Sequence, residues 1–308
     1  RKQQEKANIS VFSPQLRPHL TVGVGLQIFQ QFVGINVIMY YSVKIVRQAG
    51  FVSGNDDILY SIPISCSNCI FTFLGLYLID RIGRRKLLLG ALVGATISLF
   101  CLALYFYVAI EQNHPIEPSM APKNKCETYT TCWECTQDEK CGYCPSREGS
   151  GPSCHAGDIK GPLEALECPP ELWTYDSCPS DVGIIAVIIV IAYLGFFASG
   201  VGPVPWAVNS EIYPLEARSQ ANSVATFANW TTDLLVGSFA FPVLMAILSP
   251  AITFSLYGIA GILAIIFVWR MLPETAGRSL EEIQKDLSSG QWDPLGQDDN
   301  AEKALLSS

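Results

Sequence analysis

Residues 182–210 read VGIIAVIIVIAYLGFFASGVGPVPWAVNS, 29 positions without an Asp, Glu, Lys or Arg. About 20 apolar residues are enough to cross a bilayer as a helix. The stretch is long enough to span, but its second half carries Gly200, Gly202, Pro203, Pro205 and Trp206. Two prolines so close together remove backbone donors and prevent a regular helix. Broken helices inside a membrane are tolerated where they line a cavity. Working outward, uncharged runs recur at 20–43, 58–79 and 87–110, and another covers 234–269, punctuated by Pro242 and Pro250. Only 16% of the 308 residues are charged, against about 25% in soluble domains. These runs exclude a soluble enzyme, and a net charge of −8 argues against nucleic-acid binding. The chain reads as an all-α membrane protein with six helices at 20–41, 58–79, 87–110, 182–209, 221–247 and 251–271.

Basic residues orient these helices, because loops rich in Lys and Arg stay on the cytoplasmic side. Arg81, Arg84, Arg85 and Lys86 lie between the second and third helices, the N-terminal segment carries Arg1, Lys2, Lys6 and Arg17, and the C-terminal end carries Arg270, Arg278, Lys285 and Lys303. The expected organisation is a cytoplasmic linker (1–19), three helices (20–110), an extracellular module (111–181), three helices (182–271) and a cytoplasmic tail (272–308). The module holds 13 acids and 5 bases, so it carries the whole net charge. No Asn-x-Ser/Thr sequence falls within it, so no glycosylation is expected.

Eight of the 11 cysteines lie in that loop: Cys126, Cys132, Cys135, Cys141, Cys144, Cys154, Cys168 and Cys178. The two CxxC pairs are five residues apart, where zinc ribbons use about 15–20. An oxidising compartment and a module too small for a large core favour four disulfides over zinc. Eight cysteines allow on the order of 100 pairings, and the sequence does not choose among them. The spacing C-x5-C-x2-C-x5-C-G-Y-C resembles the plexin–semaphorin–integrin cysteine-rich module. That resemblance implies a small disulfide knot, with an extracellular protein partner as one role. Cys66, Cys69 and Cys101 lie inside helices and read as buried packing residues. No metal site and no cofactor are expected.

Polar side chains within hydrocarbon face protein or a water-filled path. The second helix carries Ser61, Ser65, Asn68 and Thr72, and the fifth carries Asn222, Thr226, Asn229 and Asp233. Each set falls on one helical face. The first helix carries Gln27, Gln30, Gln31 and Asn36. Amides and hydroxyls offer donors and acceptors without fixed charge, which suits a polyhydroxylated solute. Interhelical packing is the alternative role. Trp206 and Trp230 offer stacking surfaces for a sugar-like ring. Asp233 is a carboxylate at membrane depth, a candidate proton site or a hydrogen-bonded structural acid.

Several motifs together resemble the sugar porter family of the major facilitator superfamily: QQFVGINVIMYYS (30–42), DRIGRRK (80–86), GPVPWAVNSEIYPLEAR (202–218), NWT (229–231) and PETAGRSLEEI (273–283). The match is to the C-terminal half, family helices 7–12. The cysteine-rich loop between the third and fourth of these helices is similar to proton-coupled myo-inositol cotransporters. The resemblance implies substrate-binding positions at Gln30, Gln31, Asn36, Asn68, Trp206 and Asn229. It also implies an extracellular gate at Tyr40 and Tyr41. A cytoplasmic charge network would comprise Arg84, Arg85, Glu211, Arg218 and Glu274. Three departures stand out: Ala198 lies where glucose carriers place an acid, Ala276 where Lys is usual, and Asp233 where Asn is usual.

The expected function is that of a C-terminal half of a secondary transporter for myo-inositol or a related polyol or hexose. It would work by proton-coupled alternating access once paired with an N-terminal half. The expected location is the plasma membrane, with both termini of this chain cytoplasmic. Two rival readings are a truncated, non-transporting protein that displays the disulfide-rich module, and a half-porter that works as a dimer. No enzyme is expected.

Overall fold

The computed structural model describes residues 11–42, 45, 56–111, 116, 122–145, 151–164, 168–169, 172–175, 178, 183–278 and 282. Lys44, Arg47, the first ten residues and nearly all of the tail beyond Arg278 lie outside them.

The first membrane segment is two helices rather than one. Helix α1 (Arg17–Phe32) starts with Pro18 in its first turn, and α2 covers Ile35–Tyr40. Gly34 separates them at φ +88°, a left-handed conformation that strongly favours glycine. A side chain there would also press on the Tyr257 ring, 3.1 Å from the ideal Cβ. Helix α3 (Asp56–Ile82) keeps Pro63 in its interior. Gly83, at φ +92°, turns the chain into α4 (Arg84–Glu111).

Beyond the cysteine-rich module, α6 (Gly183–Phe196) passes into a π turn at Phe197–Val201, in which Gly202 N–H donates to the Phe197 carbonyl at 2.8 Å. Helix α7 (Val204–Ile212) restarts after Pro203. The sequence expectation of a break here is met, and the regular coil is lost a turn earlier than the prolines require. A second π turn, Leu234–Ala240, joins α8 (Arg218–Asp233) to α9 (Phe241–Ile247). Helix α10 (Pro250–Met271) opens with Ser249 as N-cap, its hydroxyl accepting from Ile252 N–H.

Five segments among the described residues are long and apolar enough to span a membrane. The sixth, α8 through α9, is as long, but its first half carries Asn222, Thr226, Asn229 and Asp233. Its polarity is turned inward: Asn229 is 1% exposed and Asp233 7%. Helix α10 packs along α4, α1 along α8, and α6 between α3 and α4. One hydrophobic core threads these helices, with Phe254, Leu88, Leu92, Leu99 and Tyr193 closed off from solvent. Glycines permit the closest approaches, as where Gly258 lies under the Phe100 ring. The architecture is a helical bundle of six membrane-length segments, three on either side of a small disulfide-rich insert.

The insert joins α4 to α6. It contains a short helix, α5 (Cys132–Gln137), and a three-stranded antiparallel sheet, β1 (Cys141–Cys144), β2 (Ser153–Asp158) and β3 (Gly161–Pro162). All eight cysteines pair, as 126–141, 132–178, 135–154 and 144–168. Each bridge constrains the unfolded chain, contributing typically ~2–4 kcal/mol. Half-cystines make up most of the insert's own core, with Tyr143 and Ile116. Trp173 covers Gly142 and Gly157, where a Cβ would overlap the indole.

The Lys125 ammonium lies 3.0 Å from Asp138, which also accepts from the Tyr129 hydroxyl and the Lys140 backbone N–H. The Lys125 hydrogen bond, then the Lys140 and Tyr129 donors, hold the Asp138 carboxyl below its ordinary value. A carboxyl lowered on folding stabilises the fold above its unfolded value and loses that contribution as pH falls through its folded value. Limited proteolysis of the insert should therefore be faster in Asp138→Asn at neutral pH. The gap between the two proteins should close on acidification below the ordinary carboxylate range.

Cys66, Cys69 and Cys101 correct an expectation: all three are exposed rather than buried. Cys66 and Cys69, three residues apart, share an outer face of α3 that no other described helix covers.

Candidate functional site

Three breaks in the helices converge on one buried polar cluster. Positions 27, 30 and 31 share one face of α1, and Gln27, Gln30 and Gln31 are each no more than 6% exposed. Gln30 Nε2 donates to the carbonyls of Val201 and Gly202, both at 2.8 Å. The π turn and Pro203 leave those acceptors outside a regular helical ladder. Asn229 is the hub. Its Nδ2 donates to Gln27 Oε1 at 2.7 Å, Gln30 Oε1 at 2.9 Å and the Gln27 carbonyl at 3.2 Å, and its Oδ1 accepts from Gln31 Nε2 at 3.0 Å. Asn36 Nδ2 donates to Gln31 Oε1 at 2.9 Å and to Asp233 Oδ1 at 2.7 Å. The Tyr40 hydroxyl lies 3.4 Å from the other Asp233 oxygen.

The cluster therefore gathers Gln30, Gln31, Asn36 and Asn229 of the residues expected to bind solute, together with Asp233 and Tyr40. Tyr40 is 57% exposed, while Tyr41 packs against Phe241 with the rings tilted by 47° and their centroids 4.7 Å apart. Asn68 and Trp206 are not brought to it: among the described residues no hydrogen bond joins either to the cluster. Trp206 and Trp230 are both largely exposed. Asn68 is half-buried on α3, its carbonyl accepting from Thr72. Gln27 is the residue missing from the expected set. It is closed off from solvent, its Oε1 is held by Asn229, and its Nε2 has no partner. Its spacing of three and four residues from Gln30 and Gln31 is the sequence signal that could have included it. In water-free surroundings such a network is stable only when its members satisfy one another.

A second constellation sits at the junction of α3 and α4. The Arg84 guanidinium donates to Glu211 Oε1 through Nε at 3.2 Å and through Nη2 at 3.1 Å, and also reaches Asp80 at 3.2 Å. The Glu274 carboxylate caps α4, accepting the backbone N–H of Arg84 at 2.9 Å and of Arg85 at 3.1 Å. It also accepts from Thr275 and Ala276 N–H, both at 3.1 Å. A carboxylate on a helix N-terminus neutralises orphan donors and the helix dipole together. Gly83 makes room, since its Cβ would lie 2.8 Å from Glu274 Oε2. The Thr275 hydroxyl, absent from the expected set, donates to Glu211 Oε2 at 2.6 Å. Arg85 reaches the Trp269 carbonyl at 2.8 Å. Arg218 lies beside this network, its guanidinium donating twice to the Tyr213 carbonyl.

Among the described residues no group of His, Cys, Asp and Glu could hold a metal ion.

The description "Sugar (and other) transporter" belongs to the family model that matches residues 1–122 and 172–287. The unmatched interval coincides with most of the disulfide-rich insert. The human protein called proton myo-inositol cotransporter is 38% identical over 289 residues, covering 88% of this chain and 44% of that protein. Probable inositol transporter 2 of Arabidopsis thaliana is 38% identical over 288 residues, covering 88% of this chain and 49% of that protein. The chain thus spans about half the length of the curated relatives it matches. The solved proton:xylose symporter XylE bound to 6-bromo-6-deoxy-D-glucose superposes with a TM-score of 0.58 at 27% identity, over 89% of this chain and 42% of that one. The inward-open xylose transporter XylE from E. coli gives 0.57 at 25% identity, over 93% and 44%. These relatives are transporters, not enzymes. With motifs, helices and relatives in agreement, the chain belongs to the sugar transporter family, the sugar porters of the major facilitator superfamily.

Proposed function

We propose that this chain acts as the C-terminal half of a secondary transporter for myo-inositol or a related polyol or hexose. The observation that carries the reading is the buried amide hub of Gln27, Gln30, Gln31, Asn36 and Asn229, set between broken helices. Donors and acceptors without fixed charge match vicinal hydroxyls. The names of its relatives, inositol transporters, support the solute class.

Alternating access needs two six-helix halves rocking around a midplane site, so an N-terminal half is the required partner. Asn68 and Trp206, which stand off the cluster in this half, would close on solute from its margins, and Tyr40 and Tyr41 would gate its outer side. The Arg84–Glu211–Glu274 network would latch the cytoplasmic side while the site faces out, with Arg85 and Arg218 flanking it. Proton coupling, with Asp233 as a candidate proton site, follows the name of the human relative. A basic 81–86 turn on the cytoplasmic side supports an insert on the opposite, extracellular side, and in this reading the membrane is the plasma membrane and the insert could meet a protein partner there.

Labelled myo-inositol uptake tests this at acidic and neutral pH, with the chain alone and joined to the N-terminal half of a related inositol transporter. Uptake in the joined form only, stronger in acid, is expected. Uptake by the chain alone would favour a dimeric half-porter. No uptake in either form, with both folded in the membrane, would contradict transport.

A further inference from the structure

The directions of the hydrogen bonds in the site are fixed from one end. Gln30 Nε2 gives its hydrogens to two main-chain carbonyls, so Gln30 Oε1 must accept, and it accepts from Asn229. Asn229 then has only its oxygen to offer Gln31, and Gln31 only its oxygen to offer Asn36. Asn36 Nδ2, directed in this way, gives Asp233 Oδ1 one short hydrogen bond. Among the described residues nothing else of that strength reaches the carboxylate, since 3.4 Å to Tyr40 is beyond the usual range for O–H···O.

Asp233 is nearly closed off from water. The groups facing it are Asn36 and Tyr40 from α2 and the bare backbone of Gly237 from the π turn. Among the described residues none of the ion pairs includes it; Lys44, four residues past Tyr40 in sequence, lies outside them. Among the described residues, a withdrawn carboxylate with neutral partners leaves one negative charge without a counterpart. Tyr40, more than half exposed, stands at the rim beside the less occupied oxygen, Oδ2.

We propose that Asp233 makes this site select solutes that carry an ammonium group beside their hydroxyls, the amino-substituted polyols and hexoses, over their neutral counterparts. The inference rests on the amide hub being a solute site and adds the charge of the solute. An ammonium brings the missing positive charge and can donate to both Asp233 Oδ2 and the Tyr40 oxygen. A neutral hydroxyl donates one weaker bond and leaves the charge unbalanced. Charge-assisted hydrogen bonds are about twice as strong as neutral ones, and they gain further where water is excluded. The solute hydroxyls keep the amides as partners, including the unused Gln27 Nε2 donor.

The test is displacement of labelled myo-inositol from the protein, completed by an N-terminal half, in bilayer discs. The competitors are 2-amino-2-deoxy-D-glucose, its N-acetyl derivative and D-glucose. The amine should compete about tenfold more tightly than D-glucose, and the uncharged N-acetyl derivative should show no such advantage. In Asp233→Asn the ratio of amine to glucose affinity should collapse towards one, and in Asp233→Glu it should persist. The readout is a ratio, so a general weakening of the site does not imitate the effect. Equal competition by amine and glucose, or an amine advantage that survives Asp233→Asn, overturns the inference and leaves the polyol site standing. If instead myo-inositol drives proton uptake that Asp233→Asn abolishes, without amine preference, the balancing charge is a proton and the inference is overturned. Absence of any myo-inositol binding overturns the polyol site and this inference together.

Discussion

Asn229→Leu should reduce solute uptake by about 100-fold or more at unchanged membrane abundance. Leucine nearly preserves the volume but removes the hub. Gln27 Oε1, Gln30 Oε1 and Gln31 Nε2 would each lose a partner, and all three residues are buried. Leaving a buried polar group unpaired costs about 1–3 kcal/mol, and ~1.4 kcal/mol is a tenfold change in affinity. Three orphaned amides also become free to turn, so the loss exceeds that of one solute contact. Uptake normalised to surface protein, with thermal unfolding measured in parallel, checks this. A protein that unfolds at the same temperature and transports normally would remove Asn229 from the site.

Glu274→Ala should act on a different step, lowering turnover at least tenfold while solute affinity stays within about twofold. The carboxylate accepts two backbone N–H groups at the head of α4 and two more from its own segment, at Thr275 and Ala276. Hydrogen bonds to a charged group are worth ~1.5–3 kcal/mol each before losses to relaxation and solvent, and an acid at a helix N-terminus contributes ~0.3–1 kcal/mol in addition. No hydrogen bond among the described residues links this cap to the amide hub, and effects at separate sites are largely independent. Gly83→Ala should mimic it, because the new methyl meets Glu274 Oε2 and the φ of +92° disfavours any side chain. Saturation curves that separate the maximal rate from the half-saturating concentration decide the matter. Equal losses in both would place Glu274 in solute binding instead.

Much of this arrangement is legible in the sequence because charge avoidance marks the spans directly. The uncharged run 87–110 and the expected helix 251–271 lie inside α4 and α10 almost to the residue. What sequence reading misses are departures from the regular helix inside those runs. The expected helix 20–41 runs straight through Gly34, where the structure turns left-handed beside the Tyr257 ring. The π turn at Leu234–Ala240 leaves no mark, since its residues are as apolar as their neighbours.

In the site, Gln30, Gln31, Asn229 and Asp233 announce themselves by spacing, because polar groups at membrane depth need partners. Their pairing does not, since it depends on carbonyls freed at Val201 and Gly202 by a neighbouring helix. The family resemblance groups Arg218 with the charge network, whereas in the structure its guanidinium donates to a main-chain acceptor, the Tyr213 carbonyl. The number of disulfides follows from composition, whereas their pairing required the fold of the insert.

Photolabelling by a diazirine-bearing inositol, in the chain completed by an N-terminal half and followed by mass spectrometry, tests the central claim most directly. The account predicts label on residues 27–40 of α1 and α2 and on 226–233 of α8, suppressed by excess myo-inositol. Label confined to other helices or to the disulfide-rich insert, with residues 27–40 and 226–233 unmarked, would contradict it.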